Sequence, residues 1–491
     1  MNLLLEKIQE YAHSMPEKTA IQSNSKAISY SQLVTEIQAF IPQLNANRIG
    51  LMMNNHPAWA IIDLATMFSR KCLIPIPTFF SNQQIKHTIR DAKLDLLIIE
   101  DKQSITLLGL SSCQVTHINI LDKAIYMVVL DNSSEHHFAG KITYTSGTTG
   151  APKGVMLSDK VIIQKTLDLA KAIDADKHDI GLSILPLSTL LENIGGLYVP
   201  LLAGATATIL PPEVIGIQGS NEVNQQALIK AILEVQPSAF IVIPQLLLFL
   251  VKVSQSGIQL PLDIRFIAVG GAHVSKQLLA RAKQQNLPVF QGYGLSEAGS
   301  VVSLNTEQEN KLGSVGKPLS NHEIKIAEDG EILIKQQLFQ GYLGQTEHPE
   351  QDFYASGDLG HIDSDGFLHI LGRKKNTIVN SYGRNISPEW IESELESLAP
   401  IAQAVILGDA RPFLITIIVA SSKTVTSHEI NQAIQKLNQT LPDYAQVNHF
   451  ILAEQPFTLN NKQLNGAGHP IREKIYQDYF SAINLIYEKS A

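Results

Sequence analysis

The sequence has little that would staple it covalently or carry it across a membrane. Its 491 residues include two cysteines, Cys72 and Cys113. That excludes a disulfide framework and a cysteine-based zinc cluster. It also lacks a basic excess: 38 Lys and Arg stand against 46 Asp and Glu, for a net charge of −8. This argues against a dedicated nucleic-acid binder. No apolar run reaches the roughly 18–20 residues that a spanning helix needs. Residues 239–251 are interrupted by Pro244 and Gln245, and residues 194–211 are split by Gly195, Gly196, Pro200 and Gly204. Glu6 comes too early for a secretory leader. The expected compartment is the cytoplasm, with at most peripheral membrane contact. Internal repeats and low-complexity tracts are also missing.

What is present is a rhythm of strand-like and helix-like segments. Residues 48–53, 72–77, 94–100 and 126–130 read as strands, separated by helical stretches such as 59–69 and 82–92. The strand runs are continuously apolar, as in strands buried on both faces. After residue 158 the rhythm resumes, with strands at 180–185, 205–210, 239–243, 264–269 and 289–291. Such alternation predicts an α/β fold with mostly parallel sheets. Residues 305–371 change character. Gly313, Gly316, Asp329-Gly330 and Asp365-Gly366 punctuate short alternating strands, which suits a small antiparallel barrel or meander. Gly372-Arg-Lys-Lys-Asn376 marks a domain junction. Beyond it come a helix at 388–397, a hairpin at 404–420 and a helix near 428–441.

The segment with the most chemistry is 142–158. A β-rich run, Ile142 to Thr145, leads into Ser146-Gly-Thr-Thr-Gly150, and Lys153 follows. Glycines let a backbone turn and present successive N–H groups to an anion. Ser146, Thr148 and Thr149 add hydroxyls, and Lys153 adds a mobile point charge. The Walker pattern is not met, because Lys153 precedes Gly154. From these residue types alone, a triphosphate cradle and a polar surface turn are equally supported.

The eleven-residue string TSGTTGAPKGV, Thr145 to Val155, resembles without departure the phosphate-loop signature of the adenylate-forming superfamily. That superfamily includes acyl-CoA synthetases, luciferases and peptide-synthetase adenylation domains. The resemblance extends over nearly the whole chain, with the motifs in family order, and is nearest in type to long-chain fatty acyl-CoA synthetases. It implies a large N-terminal domain, residues 1–371, of two mostly parallel αβ-layered sheets plus a small β-barrel. It further implies a hinge at 372–376 and a small mobile α+β domain at 377–491. The implied chemistry is attack of a carboxylate on the α-phosphate of ATP with release of pyrophosphate. Transfer of the acyl group to a thiol, that of CoA, follows.

The resemblance also assigns residues. Thr145, Ser146, Gly147, Thr148, Thr149, Gly150 and Lys153 would meet the phosphates. Gly270, Gly271 and Ala272 would flank the adenine, although an ordinary strand-to-helix turn would read the same. Gly292-Tyr-Gly294 would place Tyr293 against the base, where stacking is worth ~1–3 kcal/mol. Ser296 would contact the α-phosphate. Glu297 would help hold the Mg²⁺ that arrives with ATP, since a hard cation wants a carboxylate oxygen. In Tyr354-Ala-Ser-Gly-Asp358, Asp358 would accept the ribose hydroxyls, and Arg373 would meet the ribose or α-phosphate. Lys375 stands at the hinge position. Gly383 lies in the loop that, in relatives, lines the pantetheine tunnel.

Two departures qualify the resemblance. Relatives carry a lysine in a tail pattern like LTxxGKxxR, where this chain has Leu464-Asn-Gly-Ala-Gly-His-Pro-Ile-Arg472. His469 stands at the lysine's place, and an unperturbed imidazole is mostly neutral at pH 7. Lys462 is near enough in sequence to substitute. In the acyl-pocket element, 185–193, the neutral Thr189 disfavours an amino-acid substrate, with Glu192 a possible exception. Gly195 and Gly196 could leave room for an acyl chain or serve close helix packing. Two alternatives therefore stand beside the CoA ligase: an acyl-AMP ligase loading a carrier protein or amine, and a nucleotide- or acyl-binding protein with weakened catalysis.

Overall fold

The computed structural model describes residues 2–130, 138–145, 152–218, 222–335, 339–345, 352–465 and 468–489. Among these, two large sheets face each other across a layer of helices. The first has nine strands, from Lys317–Pro318 through Val289–Leu295, Phe266–Val269, Ala239–Val242, Ile180–Ser183 and Thr206–Ile209 to Ala27–Ser29. Its pairings are parallel from Val289–Leu295 to Thr19–Gln22 and antiparallel at both ends. The second sheet has eight strands around a parallel centre formed by Gly140–Thr145, Cys72–Pro75, Arg48–Met52 and Leu96–Ile99. Its flanks are antiparallel hairpins, Val115–Ile120 with Lys123–Val129 and Gly140–Thr145 with Lys153–Ser158. Thus the parallel expectation holds at the centre of each sheet, and hairpins close the edges.

Strand alternation divides the core into layers. Leu96 and Ile98 point into a cluster shared with Ile21, Ala207 and the helices between the sheets, whereas Leu97 and Ile99 join the outer cluster under helix Asn82–Asp91. Helices Gln225–Val235, Pro244–Gln255 and Lys276–Gln284 cover the far face of the nine-stranded sheet. The period of two explains why these strands are apolar throughout. A four-stranded antiparallel sheet spans Ile324–Ile326, Glu331–Lys335, Phe353–Ile362 and Leu368–Arg373. The tail has its own core around helix Pro388–Glu396 and strands Ile401–Leu407 and Leu414–Ala420. Among the described residues no helix is long and apolar enough to cross a membrane.

Residues 190–203 form one continuous rod with a widened middle. Leu190–Glu192 is α-helical, Asn193–Tyr198 is a π-helix, and Val199–Ala203 is α-helical again. The widened turn carries Asn193 and Tyr198 into a buried polar network. Lys141 Nζ donates to Asp63 Oδ1 at 2.5 Å and to Asn193 Oδ1 at 2.7 Å. Asp63 Oδ2 accepts from Asn193 at 3.0 Å and from Tyr198 Oη at 2.6 Å. The ammonium also lies over the rings of Trp59 and Tyr198. Lys141 sits on the strand that runs into the Gly-rich loop, so this network anchors that strand to the helix beside it.

A second buried lysine has a different setting. Lys165, on helix Asp159–Ala172, donates to the Val301 carbonyl and lies 2.5 Å from His322 Nε2. Burial, eased only by Asp168, holds its pKa at about 7. Val301 follows the turn that carries Ser296 and Glu297, so Lys165 buttresses that turn from behind.

Two stability predictions follow. Lys141→Met leaves the Asp63 carboxylate buried without its cation. The expected loss is about 3–5 kcal/mol, read from the denaturant midpoint, and adding Asp63→Leu recovers most of it. Lys165→Met should act the other way. Between pH 7 and about 10 the unfolded chain keeps a proton on Lys165 that the folded chain has released, so wild-type stability rises with pH there. The methionine variant should be more stable at pH 7 by about 1–4 kcal/mol, with the gap narrowing towards pH 10. Parallel stability curves would refute this.

Candidate active site

Two neighbouring parallel strands end at one corner of the nine-stranded sheet, and both ends are glycines. A Cβ on Gly270 would lie 3.4 Å from the Gly292 carbonyl, and Gly271 turns at φ +84°. Ala272 beside them is exposed. Gly294 faces a harder constraint. A Cβ there would sit 1.8 Å from the Ser300 carbonyl, because Val289–Leu295 pairs tightly with Ser300–Leu304 across the short turn Ser296–Ala298. A bulge between Tyr293 and Gly294 shifts the register. Beside that bulge, Tyr293 packs against a cluster that includes Ala298 of the turn presenting Ser296 and Glu297.

Tyr293 meets Asp358. Its Oη donates to Asp358 Oδ2 at 2.6 Å, while Arg373 Nε donates to Oδ1 at 2.9 Å. Asp358 and Arg373 are direct cross-strand partners on Phe353–Ile362 and Leu368–Arg373. Burial pushes the Asp358 carboxyl above its usual range, opposed by Arg373 and by the Tyr293 hydroxyl. Each carboxylate oxygen has two lone-pair sites, so each retains one for a further donor. The Ser356 hydroxyl accepts from the Asp358 amide at 3.1 Å and fixes the turn.

A second group lies alongside. Tyr342 Oη donates to Glu297 Oε1 at 2.8 Å and is 3.1 Å from Tyr354 Oη. Lys153 Nζ stands 5.4 Å from the centre of the Tyr342 ring. Tyr354 in turn lies in the fields of Glu297, Arg373 and Asp358, so the two groups are neighbours. Lys153 and Thr145 face each other across the hairpin, at the two ends of the Gly-rich loop. Ser146, Gly147, Thr148, Thr149 and Gly150 lie outside the described residues. Among the described residues no set of three His, Cys, Asp or Glu side chains could hold a metal by itself. Glu297 is a lone carboxylate, which suits a Mg²⁺ whose other ligands are phosphate oxygens and water.

Tyr342 was not singled out from the sequence. It sits on Phe339–Tyr342, a strand that pairs with Lys153–Ser158 only through the fold. No spacing rule connects it to Glu297, 45 residues earlier.

The acyl-pocket candidates are closely packed. Thr189 Oγ1 donates to the Pro186 carbonyl at 2.8 Å, closing its own turn. A Cβ on Gly195 would lie 2.6 Å from Ile241 Cδ1, and one on Gly196 would lie 2.1 Å from Glu192 Oε1. Both glycines therefore allow close packing, and the space beside them is already filled. Glu192 is fully buried, and burial pushes its carboxyl up to about 8, against hydrogen bonds led by the Leu185 amide. Its Oε2 accepts from the Leu185 amide at 3.2 Å, seven residues earlier in the chain.

The tail residues separate into two groups. His469 lies in the fields of Arg373, Glu389 and Arg472, next to the Asp358 corner. Crowding by the surrounding protein and the charge of Arg373 hold its pKa below the ordinary value, although its surface is still open to solvent. Lys462 is exposed in a turn at φ +61°, its amide bonded to the Leu459 carbonyl. Lys375 is exposed in the single turn Lys374–Asn376, beside Arg373 and Glu389. Gly383 turns at φ +74° in an exposed loop held by the Asn380 carboxamide, with nothing within 4 Å of a Cβ. In this arrangement His469 and Lys375 are near Arg373.

The sequence pattern of the AMP-binding enzyme family matches residues 8–343, and that of the AMP-binding enzyme C-terminal domain matches residues 375–491. Among curated relatives, the long-chain-fatty-acid–CoA ligase FadD15 of Mycobacterium bovis is 31% identical over 255 residues, 46% of this chain and 42% of that protein. The chain thus matches less than half the length of that relative. The 2-succinylbenzoate–CoA ligase of Bacillus velezensis is 25% identical over 82% of this chain and 84% of its own. Among solved structures, the anthranilate CoA ligase AuaEII in complex with anthranoyl-AMP superposes with a TM-score of 0.81 at 17% identity, covering 97% of both chains. The o-succinylbenzoate CoA synthetase of Bacillus subtilis in complex with its acyl-adenylate gives 0.76 at 21% identity, covering 96% of this chain and 97% of that one. With a family match over most of its length and a fold shared end to end, this chain belongs to the AMP-binding enzyme family.

Proposed function

We propose that this protein is an acid–thiol ligase of the AMP-forming type. It activates an apolar carboxylic acid with ATP and passes the acyl group to CoA. The observation that carries this reading is the pair of groups at one corner, Lys153 and Glu297 about Tyr342 and Tyr354, and Tyr293 and Arg373 about Asp358. In the first step the carboxylate oxygen attacks the α-phosphorus and pyrophosphate leaves. In the second, the thiolate of CoA attacks the acyl carbon, AMP leaves, and the thiol proton passes to solvent.

Each side chain has a part. Lys153 and the hydroxyls of residues 145–149 meet the phosphates. Asp358 offers its free lone pairs to the ribose hydroxyls, with Arg373 beside it. Tyr293 packs against the adenine between Gly270–Gly271 and Gly292–Gly294, and Ser296 faces the α-phosphate. Glu297 would hold a Mg²⁺ that arrives with ATP and neutralises phosphate charge. The acid lies near Thr189. The tail, residues 377–491, turns about Lys375 between the steps and brings Gly383 to the thiol's path. The relatives act on acids of different kinds, a long aliphatic chain in FadD15 and an aryl acid in the 2-succinylbenzoate ligases. For this chain the substrate class is accordingly an apolar acid, fatty or aryl. Chemistry of this kind belongs in the cytoplasm, where ATP and CoA are abundant.

The direct test is a mass-spectrometric assay with ATP, Mg²⁺ and a panel of aliphatic and aryl acids, with and without CoA. Acyl-AMP without CoA, converted to acyl-CoA on its addition, is the expected result. Acyl-AMP that persists with CoA would instead favour a carrier-protein or amine acceptor.

His469 yields a second prediction. Its lowered pKa leaves it neutral at pH 7–8, and a cation facing developing phosphate charge is worth several kcal/mol. Adenylate formation should therefore speed up as pH falls from 8 towards 6. His469→Lys should be faster at pH 8, by roughly tenfold or more, and should lose that pH dependence. An unchanged rate in the lysine variant would remove His469 from the reaction and turn attention to Lys462.

A further inference from the structure

The tail and the large domain have separate apolar cores. Ile391 and Leu395 of helix Pro388–Glu396 pack within the tail, whereas Leu278, Leu279 and Ala282 of helix Lys276–Gln284 pack onto the nine-stranded sheet. Where these two helices meet, the described contacts are polar. Glu394 Oε1 accepts from the Lys276 amide at 3.0 Å. His273 Nδ1 lies 2.8 Å from Ser393 Oγ, and Arg281 Nη1 donates to the Ser397 carbonyl at 3.0 Å. Ser393, Glu394 and Ser397 span one helical turn, so a single face of the tail helix makes all three contacts.

Glu394 is the strongest of these. Lys276 is the first residue of its helix, and Ser275 caps the same end by accepting from the Leu278 amide. A carboxylate at a helix N-terminus satisfies an amide that has no partner within the helix and meets the positive end of the helix dipole. Glu394 is 5% exposed, and its Oε2 is buried without a hydrogen-bond partner. Much of its burial therefore depends on the two domains staying in contact. Nothing in the tail core requires an acid at this position, since the neighbouring Ile391 and Leu395 supply the packing.

We propose that Glu394 is a positioning residue. Bonded to the Lys276 amide, it holds the tail in the orientation that sets His469 beside Arg373, the orientation for forming the adenylate. Releasing that bond frees the tail to turn for thiol transfer. This rests on the two-step reading above. A small polar contact between separate cores suits a joint that must open and close, because parting it exposes little apolar surface.

The half-reactions separate this role from a merely structural one. Glu394→Ala should form acyl-AMP roughly tenfold more slowly in the absence of CoA. Supplied with preformed acyl-AMP and CoA, the same variant should make thioester at least as fast as wild type. Glu394→Gln, whose carbonyl oxygen can still accept from Lys276, should recover most of the first rate. Equal losses in both half-reactions, or no loss in either, would overturn the proposal.

A distance measurement decides the matter without turnover. Spin labels on Lys252→Cys in the large domain and Lys436→Cys in the tail, both exposed, would be placed in a Cys113→Ser background. They should give one dominant distance with Glu394 present. Glu394→Ala should broaden it or add a second population. An unchanged distribution would refute the positioning role, whether or not the protein makes adenylate. Absence of acyl-AMP from the wild type with every acid would refute the two-step reading alone.

Discussion

The carboxylate of Asp358 is where three parts of the molecule meet. Tyr293 reaches it from the nine-stranded sheet, its own strand belongs to the small antiparallel sheet, and Arg373 leads into the turn Lys374–Asn376 before the tail. A buried carboxylate is costly unless its oxygens are bonded and its charge is balanced. Tyr293 and Arg373 do both. The arrangement constrains its surroundings in turn. Tyr293 can reach Asp358 only because the bulge at Gly294 lets two strands touch closely beneath it, a contact that no side chain at 294 would permit. Moving Arg373 would disturb the corner and the start of the tail together.

Buried charge recurs throughout the large domain, and its setting differs each time. Lys141 is matched by Asp63, Asn193 and Tyr198, so its strand is pinned to the helix between the sheets. Lys165 has a carbonyl and an imidazole for partners, and burial lowers its pKa. Glu192 has amide donors but no cation, and its pKa rises. Burial sets the direction of each shift by disfavouring the charged form, down for both lysines and up for Glu192, and Asp63 beside Lys141 opposes it. Between the domains the pattern reverses. There the described hydrogen bonds between helices Lys276–Gln284 and Pro388–Glu396 and their flanks are polar contacts of Glu394, Ser393 and Ser397, and the apolar clusters are separate.

Much of the architecture could be read from the chain. Continuous apolar runs such as Ile49 to Met52 mark strands covered on both faces, and the Gly-punctuated stretch after residue 305 marks the antiparallel sheet. The parallel centres of both sheets follow from the alternation of strand and helix. The hairpin edges were less legible. Val115–Ile120 is mostly exposed and mixes Thr, His and Asn with Val and Ile, so its pattern is weak. Lys153–Ser158 reads as the end of a loop because Lys and Gly open it. The glycines of the candidate acyl helix supported two readings, and only neighbours distant in sequence, Ile241 above all, show that their space is filled.

The sequence by itself determined the family and the identity of the nucleotide-site candidates. A phosphate loop needs particular residues in consecutive order, and consecutive order is what a sequence records. Tertiary structure alone decided the partners. Tyr342 bonds Glu297 from 45 positions away, Glu394 bonds Lys276 from 118, and Lys141 bonds Asp63 from 78. These contacts join elements whose relative placement depends on how whole layers pack. Local propensity and spacing extend over a few residues, whereas a hydrogen bond across the core depends on every layer between its ends.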